Sequence, residues 1–185
     1  MESSYAFALF LHLLAVFALV GGIAVMGFAE QKLAMAESLD EFRGWVMLDK
    51  RIGPFQGISA LVILLSGMYM AHAHWGDRSP WVMAALVGLI AFGLTGPLVV
   101  GRGIVGALRL AEAAGSVTAE ARHRLHAPGL RWIVVARPPF LVWFAYLMAA
   151  KPGPTGVLWS TIGVVALTVV IGVARGNGAA PAPRS

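Results

Sequence analysis

The chain has 185 residues, of which 58% are hydrophobic and 12% are charged, and 14 lysines and arginines against 9 acidic residues give a net charge of +5. A typical soluble domain is about 45–50% apolar and about 25% charged. The composition therefore excludes a water-soluble globular protein and a disordered chain. We predict a single domain, residues 1–185, that folds as an all-α, polytopic membrane helix bundle.

Cysteine is absent, which excludes disulfides, thiolate metal sites and iron–sulfur clusters. The basic residues lie between apolar segments, where they are typical of anchoring at a membrane surface rather than of nucleic-acid binding. We therefore expect the lipid bilayer, and no nucleic acid, as a partner.

Five segments are apolar over the roughly 20 residues that a helix needs to cross about 30 Å of hydrocarbon. These predicted spans form a four-helix core plus one added helix and cover residues 5–28, 54–71, 80–100, 132–150 and 156–174. Pro54 and Pro80 stand at the start of spans two and three, at a favoured first helical position. The tail, residues 175–185, is rich in Arg, Gly and Pro and is predicted to be disordered.

Between spans one and two, Ser38 and Glu41 have the spacing of a capping box. The apolar residues that follow Ser38 form one stripe at helical spacing: Leu39, Phe42, Trp45 and Val46. This pattern predicts a separate amphipathic helix that lies along the membrane surface or packs beneath the bundle.

The basic residues of the loops and tail are divided unequally between the two sides of the predicted bundle. One side carries eleven of them: Lys32, Arg43, Lys50, Arg51, Arg102, Arg109, Arg122, Arg124, Arg131, Arg175 and Arg184. The opposite side carries two, Arg78 and Lys151. Since cytoplasmic loops hold the excess of lysine and arginine, we predict a bacterial inner-membrane protein with its amino terminus outside and its carboxyl terminus in the cytoplasm.

Residues 101–106, Gly-Arg-Gly-Ile-Val-Gly, match the dinucleotide-binding fingerprint as a string. That fingerprint works only after a strand and inside a βαβ unit, whereas here it ends a predicted membrane helix. We therefore interpret the glycines as close helix contacts and Pro97 as a kink.

His12 is the only strongly polar side chain in span one. An ionisable residue inside the bilayer is costly and marks a functional site by default, and a neutral imidazole can ligate haem iron or another metal. The alternative is a histidine that bonds to a neighbouring helix.

Four residues that can bind metals lie at the predicted outer end of span two: Met68, Met70, His72 and His74. On a helix, Met68 shares a face with His72, and Met70 shares one with His74. Thioether and imidazole together suit cuprous copper, and a His–Met pair also suits haem. The alternative is two packing methionines beside two interfacial histidines.

Arg137 lies inside span four, directly before Pro138 and Pro139. Because a proline disfavours helix at the preceding residue, we predict a break that lines a cavity or the protein interior. We expect the guanidinium to meet a carboxylate, a lipid headgroup or a haem propionate, with snorkelling to the interface as the alternative. The predicted spans contain no Asp or Glu, which argues against a proton-coupled transporter that uses a buried carboxylate.

Three short segments together resemble a known family: Leu11-His12 to Gly21-Gly22, Asp49 to Pro54, and Tyr146 to Lys151-Pro152. The family consists of small predicted bacterial integral membrane proteins of unknown function. It is similar to the haem-containing J-type membrane protoporphyrinogen oxidase and to the membrane domain of copper-resistance D proteins. The resemblance covers residues 5–152 and implies that His12 corresponds to a haem-ligating histidine. The oxidase pattern also has a lysine and a histidine in its third helix, and span three has neither, so we do not expect protoporphyrinogen oxidation.

These observations predict an integral membrane protein of unknown function, with no catalytic residue assigned. The leading interpretation is a b-type haem held by His12, Met68 or His72, and Arg137. The first alternative is a copper-handling protein that uses Met68, Met70, His72 and His74. A structural subunit of a larger membrane complex, or a homo-oligomer, needs neither site.

Overall fold

The computed structural model describes residues 2–76 and 78–177, and 91% of that part of the chain is helical, without a strand. In chain order the elements are α1 (Glu2–Met35), α2 (Leu39–His74), α3 (Pro80–Thr95), a π-helical segment (Gly96–Gly101), α4 (Arg102–Ala114), α5 (Ala119–Leu125), α6 (Pro128–Ala150) and α7 (Pro154–Asn177). Five helical segments are long and apolar enough to cross a membrane: Ser3–Met35, Leu39–His74, Pro80–Ala114, Pro128–Ala150 and Pro154–Ala174. The predicted all-α class is confirmed, and the helices are compatible with an integral membrane protein.

The helix α2 is longer than the predicted span two, because the segment before Pro54 is helical as well. The predicted capping box is present: Ser38 Oγ accepts from the Glu41 N–H at 3.2 Å, and Glu41 Oε2 accepts from the Glu37 N–H at 3.3 Å. The prediction of a separate amphipathic helix is wrong, since this segment continues into α2 without interruption. Pro54 removes one hydrogen bond of the helix but has a backbone angle that the helix accepts.

The predicted break at Arg137 is also absent, because α6 continues through Pro138 and Pro139. The φ angle to which a proline ring is fixed fits a helix, so both prolines remain in α6 although neither can donate a backbone hydrogen bond. The predicted disordered tail lies mostly outside the described residues, although α7 extends to Asn177 and so includes residues 175–177.

Between α3 and α4 the chain forms a π-helical segment, Gly96–Gly101, where the sequence predicted a proline kink. Pro97 lies at its start and has no N–H to donate. Such segments widen a helix by one residue and are frequent at functional sites. Together with α3 and α4 it forms one span, Pro80–Ala114, so the glycine-rich string at 101–106 lies within a helix and does not follow a strand.

The helices α1 and α2 pack as an antiparallel pair along most of their lengths. Near the start of α1, Ser4 Oγ and Tyr69 Oη lie 3.0 Å apart. Further along, the Gln56 amide contacts Met26. This register determines which residues of α2 lie opposite His12 and Glu30.

Two buried clusters hold the remaining helices against this pair. The larger cluster joins the end of α1, the start of α2 and helices α4 and α5, with Phe42, Val46 and Ile104 at its centre. The smaller one joins α3, α6 and α7 around Trp143 and Leu147. Large apolar residues elsewhere face outward, as on α1 at Phe7, Phe10, Leu14 and Phe17, which suggests contact with a lipid bilayer.

Candidate functional site

His12 is buried, and its ring hydrogen-bonds to α2: His12 Nδ1 lies 3.1 Å from Ser66 Oγ. The Ser66 hydroxyl has one hydrogen, and it donates this to the Val62 carbonyl at 2.5 Å. With that hydrogen used, Ser66 Oγ accepts from His12 in the tautomer that has its proton on Nδ1, which is the tautomer we expect. The lone pair of Nε2 is then left for a ligand.

Gly67 allows this close approach of the imidazole to α2. A Cβ atom at Gly67 would lie 3.2 Å from His12 Cε1 and 3.5 Å from His12 Nδ1. Any larger residue would have to displace the ring. Ser66 and Gly67 thus act together, the first by orienting the imidazole and the second by making room for it.

A cavity of about 440 Å³ lies beside His12, between α1, α2, α3 and α6, and we call it the histidine cavity. Its volume is within the range of about 300–1,000 Å³ that is usual for small-molecule sites. Its walls are mainly aliphatic and aromatic, with His12 and Lys151 as the ionisable members besides Tyr5. Lys151 Nζ lies 4.2 Å from the centre of the Trp75 ring. The cavity therefore suits a largely apolar ligand with one anionic group.

The structure brings some of the predicted ligands to this cavity. Met68 and Met70 line it with His12, although Met70 is buried and Met68 is half exposed. His72 and His74 are exposed and lie outside its lining, and the His74 ring packs 4.4 Å from that of Tyr5. Within the described ranges, no three His, Asp or Glu side chains are grouped so that they could hold a metal ion.

Arg137 lies at a different place, where Arg137 Nη1 pairs with Glu30 Oε1 at 2.7 Å. The side chains are 7% and 11% exposed, so the pair is buried. Of the three partners that we expected for Arg137, the one observed is a carboxylate, that of Glu30. The statement that the spans contain no Asp or Glu is wrong, because α1 extends beyond residue 28 to Met35 and α2 begins before Asp49.

Glu30, Asp49 and Gln56 are the functional candidates that the sequence analysis missed. Each has a buried oxygen without a hydrogen-bond partner among the described residues: Glu30 Oε2, Asp49 Oδ1 and Gln56 Oε1. Asp49 is 7% exposed and lies close enough to Arg137 to interact electrostatically. One sequence feature pointed to Glu30. A buried Arg137 requires a carboxylate, and Glu30 lies two residues beyond the predicted end of span one.

A second cavity, of about 830 Å³, lies beside this cluster, and we call it the arginine cavity. Its charged lining residues are Asp49, Lys50, Arg102, Arg109, Arg124 and Arg137. The π-helical segment forms part of its wall through Gly96, Pro97 and Gly101. Leu19 and Leu89 line both cavities, so the two lie end to end along the bundle.

No family model, curated protein or solved structure matches this chain. The resemblance to the haem-containing oxidase and to the copper-resistance D domain therefore stays an expectation from the sequence. The two cavities are the features from which a function can be inferred.

Proposed function

We propose that this multi-pass membrane protein holds a b-type haem in the histidine cavity, where His12 Nε2 would bind the iron. The hydrogen bond from His12 Nδ1 to Ser66 carries this proposal, because histidines that bind metals nearly always donate their other ring N–H to an acceptor. That bond also orients the ring before any ligand arrives.

The other walls of the cavity offer thioethers for the iron and one cation for the two propionates of a haem. Met68 and Met70 line the same cavity as His12, and a thioether is a common second axial ligand. The aliphatic and aromatic walls offer an apolar surface to the haem ring, and Lys151 can pair with a propionate. We do not expect Arg137 to pair with a propionate, because it lines the arginine cavity and pairs with Glu30. When bound, the haem would supply one-electron redox chemistry.

An absorbance spectrum of detergent-purified protein from a haem-replete host tests the proposal. We expect a Soret band that His12→Ala abolishes and Ser66→Ala weakens or shifts. His123→Ala is the matched control, because His123 is exposed and lies outside both cavities. Protein that is well folded and colourless, and that stays colourless after haem is added, would contradict the proposal.

Cuprous copper is the second candidate, because two thioethers and one imidazole line a single cavity. Soft sulfur ligands favour Cu(I) over Zn(II). We expect Met70→Leu and His12→Ala to weaken Cu(I) binding, and His74→Ala to leave it unchanged because His74 packs on Tyr5 outside the cavity. Equal binding of Cu(I) by all three variants would exclude this candidate.

A further inference from the structure

Four basic side chains around the arginine cavity have no ion-pair partner among the described residues, although Asp49 lines the same cavity. Lys50, Arg102, Arg109 and Arg124 line it, and none of them forms an ion pair or hydrogen bond with the described part of the chain. Some other arginines of the protein have partners. Arg43 pairs with Asp40 and Glu112, and Arg122 donates to the carbonyls of Ala34 and Ala36 at 3.0 and 2.8 Å.

All four side chains are exposed, and their convergence on one cavity points to an anionic ligand. Arg102 and Arg109 both come from α4, whereas Lys50 comes from α2 and Arg124 from α5. Three elements therefore direct positive charge to one cavity. The Arg124 guanidinium lies against α4, since a Cβ atom at Gly106 would be 3.4 Å from Arg124 Nε. Guanidinium groups on several sides of a cavity are well suited to the oxygens of a phosphate.

The deeper walls of the same cavity are apolar. Leu19, Ile23 and Met26 of α1 face Leu89 and Phe92 of α3 across it. A free anion would gain no binding free energy from these walls, whereas an acyl chain would be stabilised by burial against them. Leu19 and Leu89 also line the histidine cavity, so the apolar wall continues along the bundle.

We propose that the arginine cavity binds the phosphate group of an anionic phospholipid, with its acyl chain against the apolar wall. Basic pockets between membrane helices are known to bind anionic headgroups. Asp49 and Gln56 line the cavity and each has an oxygen without a partner, so a headgroup with hydroxyl donors fits better than one without. Phosphatidylglycerol has both the phosphate and such hydroxyls.

Native mass spectrometry of delipidated protein in a neutral detergent tests this proposal. The protein is titrated with phosphatidylglycerol, with phosphatidylcholine and with inorganic phosphate. We expect phosphatidylglycerol to bind at one saturable site at least tenfold more tightly than phosphatidylcholine, and more weakly at high salt. Equal binding of the two lipids would overturn the proposal, since it would leave only the apolar wall as the source of affinity.

Two double variants locate the site. Arg109→Gln with Arg124→Gln should weaken phosphatidylglycerol binding at least tenfold, and lysine at both positions should restore part of it. Arg51→Gln with Arg78→Gln removes the same charge from positions that are exposed like Arg109 and Arg124 but lie outside the cavity, and it should change binding less than twofold. An equal loss in both double variants, or no loss in either, would overturn the proposal.

The inorganic phosphate titration identifies the source of the phosphate. Inorganic phosphate alone could bind as tightly as the lipid, with this binding lost in the Arg109 and Arg124 double variant. The site would then take the anion from solution, and the proposal of a lipid ligand would be overturned. A unimodal size-exclusion profile and unchanged helical circular dichroism verify that each variant is folded. The haem absorbance, where present, should not change, because the substituted residues lie outside the histidine cavity.

Discussion

Glu30 and Arg137 form an ion pair that is almost closed to solvent, at 2.7 Å between Glu30 Oε1 and Arg137 Nη1. Removing one partner of a buried pair leaves an unpaired charge and costs about 3–5 kcal/mol. We expect Arg137→Met to lower the free energy of unfolding by about 3 kcal/mol. Adding Glu30→Gln should restore part of the loss, and adding Asp49→Asn should restore more, because Asp49 also acts on this guanidinium.

Equilibrium unfolding in mixed detergent micelles measures this series, and Arg51→Met is the control because Arg51 is exposed. If each further substitution lowered the stability again, the three residues would not be electrostatically coupled.

The hydrogen bond of His12 leads to a prediction that does not depend on any bound ligand. Because Ser66 Oγ uses its hydrogen on the Val62 carbonyl, neutral His12 should carry its proton on Nδ1. Nitrogen-15 NMR of histidine-labelled protein distinguishes the two tautomers. We expect protonated Nδ1 at His12 and also at His126, whose Nδ1 lies 2.8 Å from the Arg122 carbonyl; the His12 signal should change in Ser66→Ala and persist in His123→Ala. A signal from His12 with protonated Nε2 would refute the assignment.

At the scale of the helices, hydropathy located all five apolar helical segments but ended spans one and three too early and began span two too late. Apolar windows show where a chain can cross hydrocarbon, whereas a helix ends where its last carbonyls are capped or its backbone turns. Glu30 and Asp49 were therefore assigned to loops. The contact between His12 and Ser66 was not predictable either, because it depends on the register of α1 against α2, which is set by packing along both helices.

The capping box at the start of α2 makes a second prediction at this scale. Ser38 Oγ accepts from the Glu41 N–H, and replacing such a cap by alanine typically costs about 1 kcal/mol. We expect Ser38→Ala to destabilise the protein by about this amount and to speed amide exchange over residues 39–45. Ser116→Ala serves as the control, since Ser116 is exposed and outside any helix. Unchanged exchange at 39–45 would show that packing of Phe42 alone holds this end.

At the scale of the whole molecule, lysines and arginines are distributed unequally between the linings of the two cavities. The histidine cavity has Lys151 as its one lysine or arginine, whereas the arginine cavity has five such residues in its lining: Lys50, Arg102, Arg109, Arg124 and Arg137. The sequence predicted this asymmetry as a property of loops. It could not predict that several of the same side chains converge on one cavity, because α2, α4, α5 and α6 meet there only after folding.

This asymmetry decides the orientation that we expect in the membrane. Loops rich in Lys and Arg remain in the cytoplasm, so the end with the arginine cavity should face inward and the end with Lys151 outward. Cysteine is absent from the chain, so single cysteines at Ser79 and Ser116 can be labelled without background. In intact cells, an impermeant maleimide should modify Ser79→Cys and should reach Ser116→Cys only after permeabilisation. The reverse pattern would invert the orientation, and modification of both in intact cells would contradict a membrane crossing by Pro80–Ala114, the segment between them.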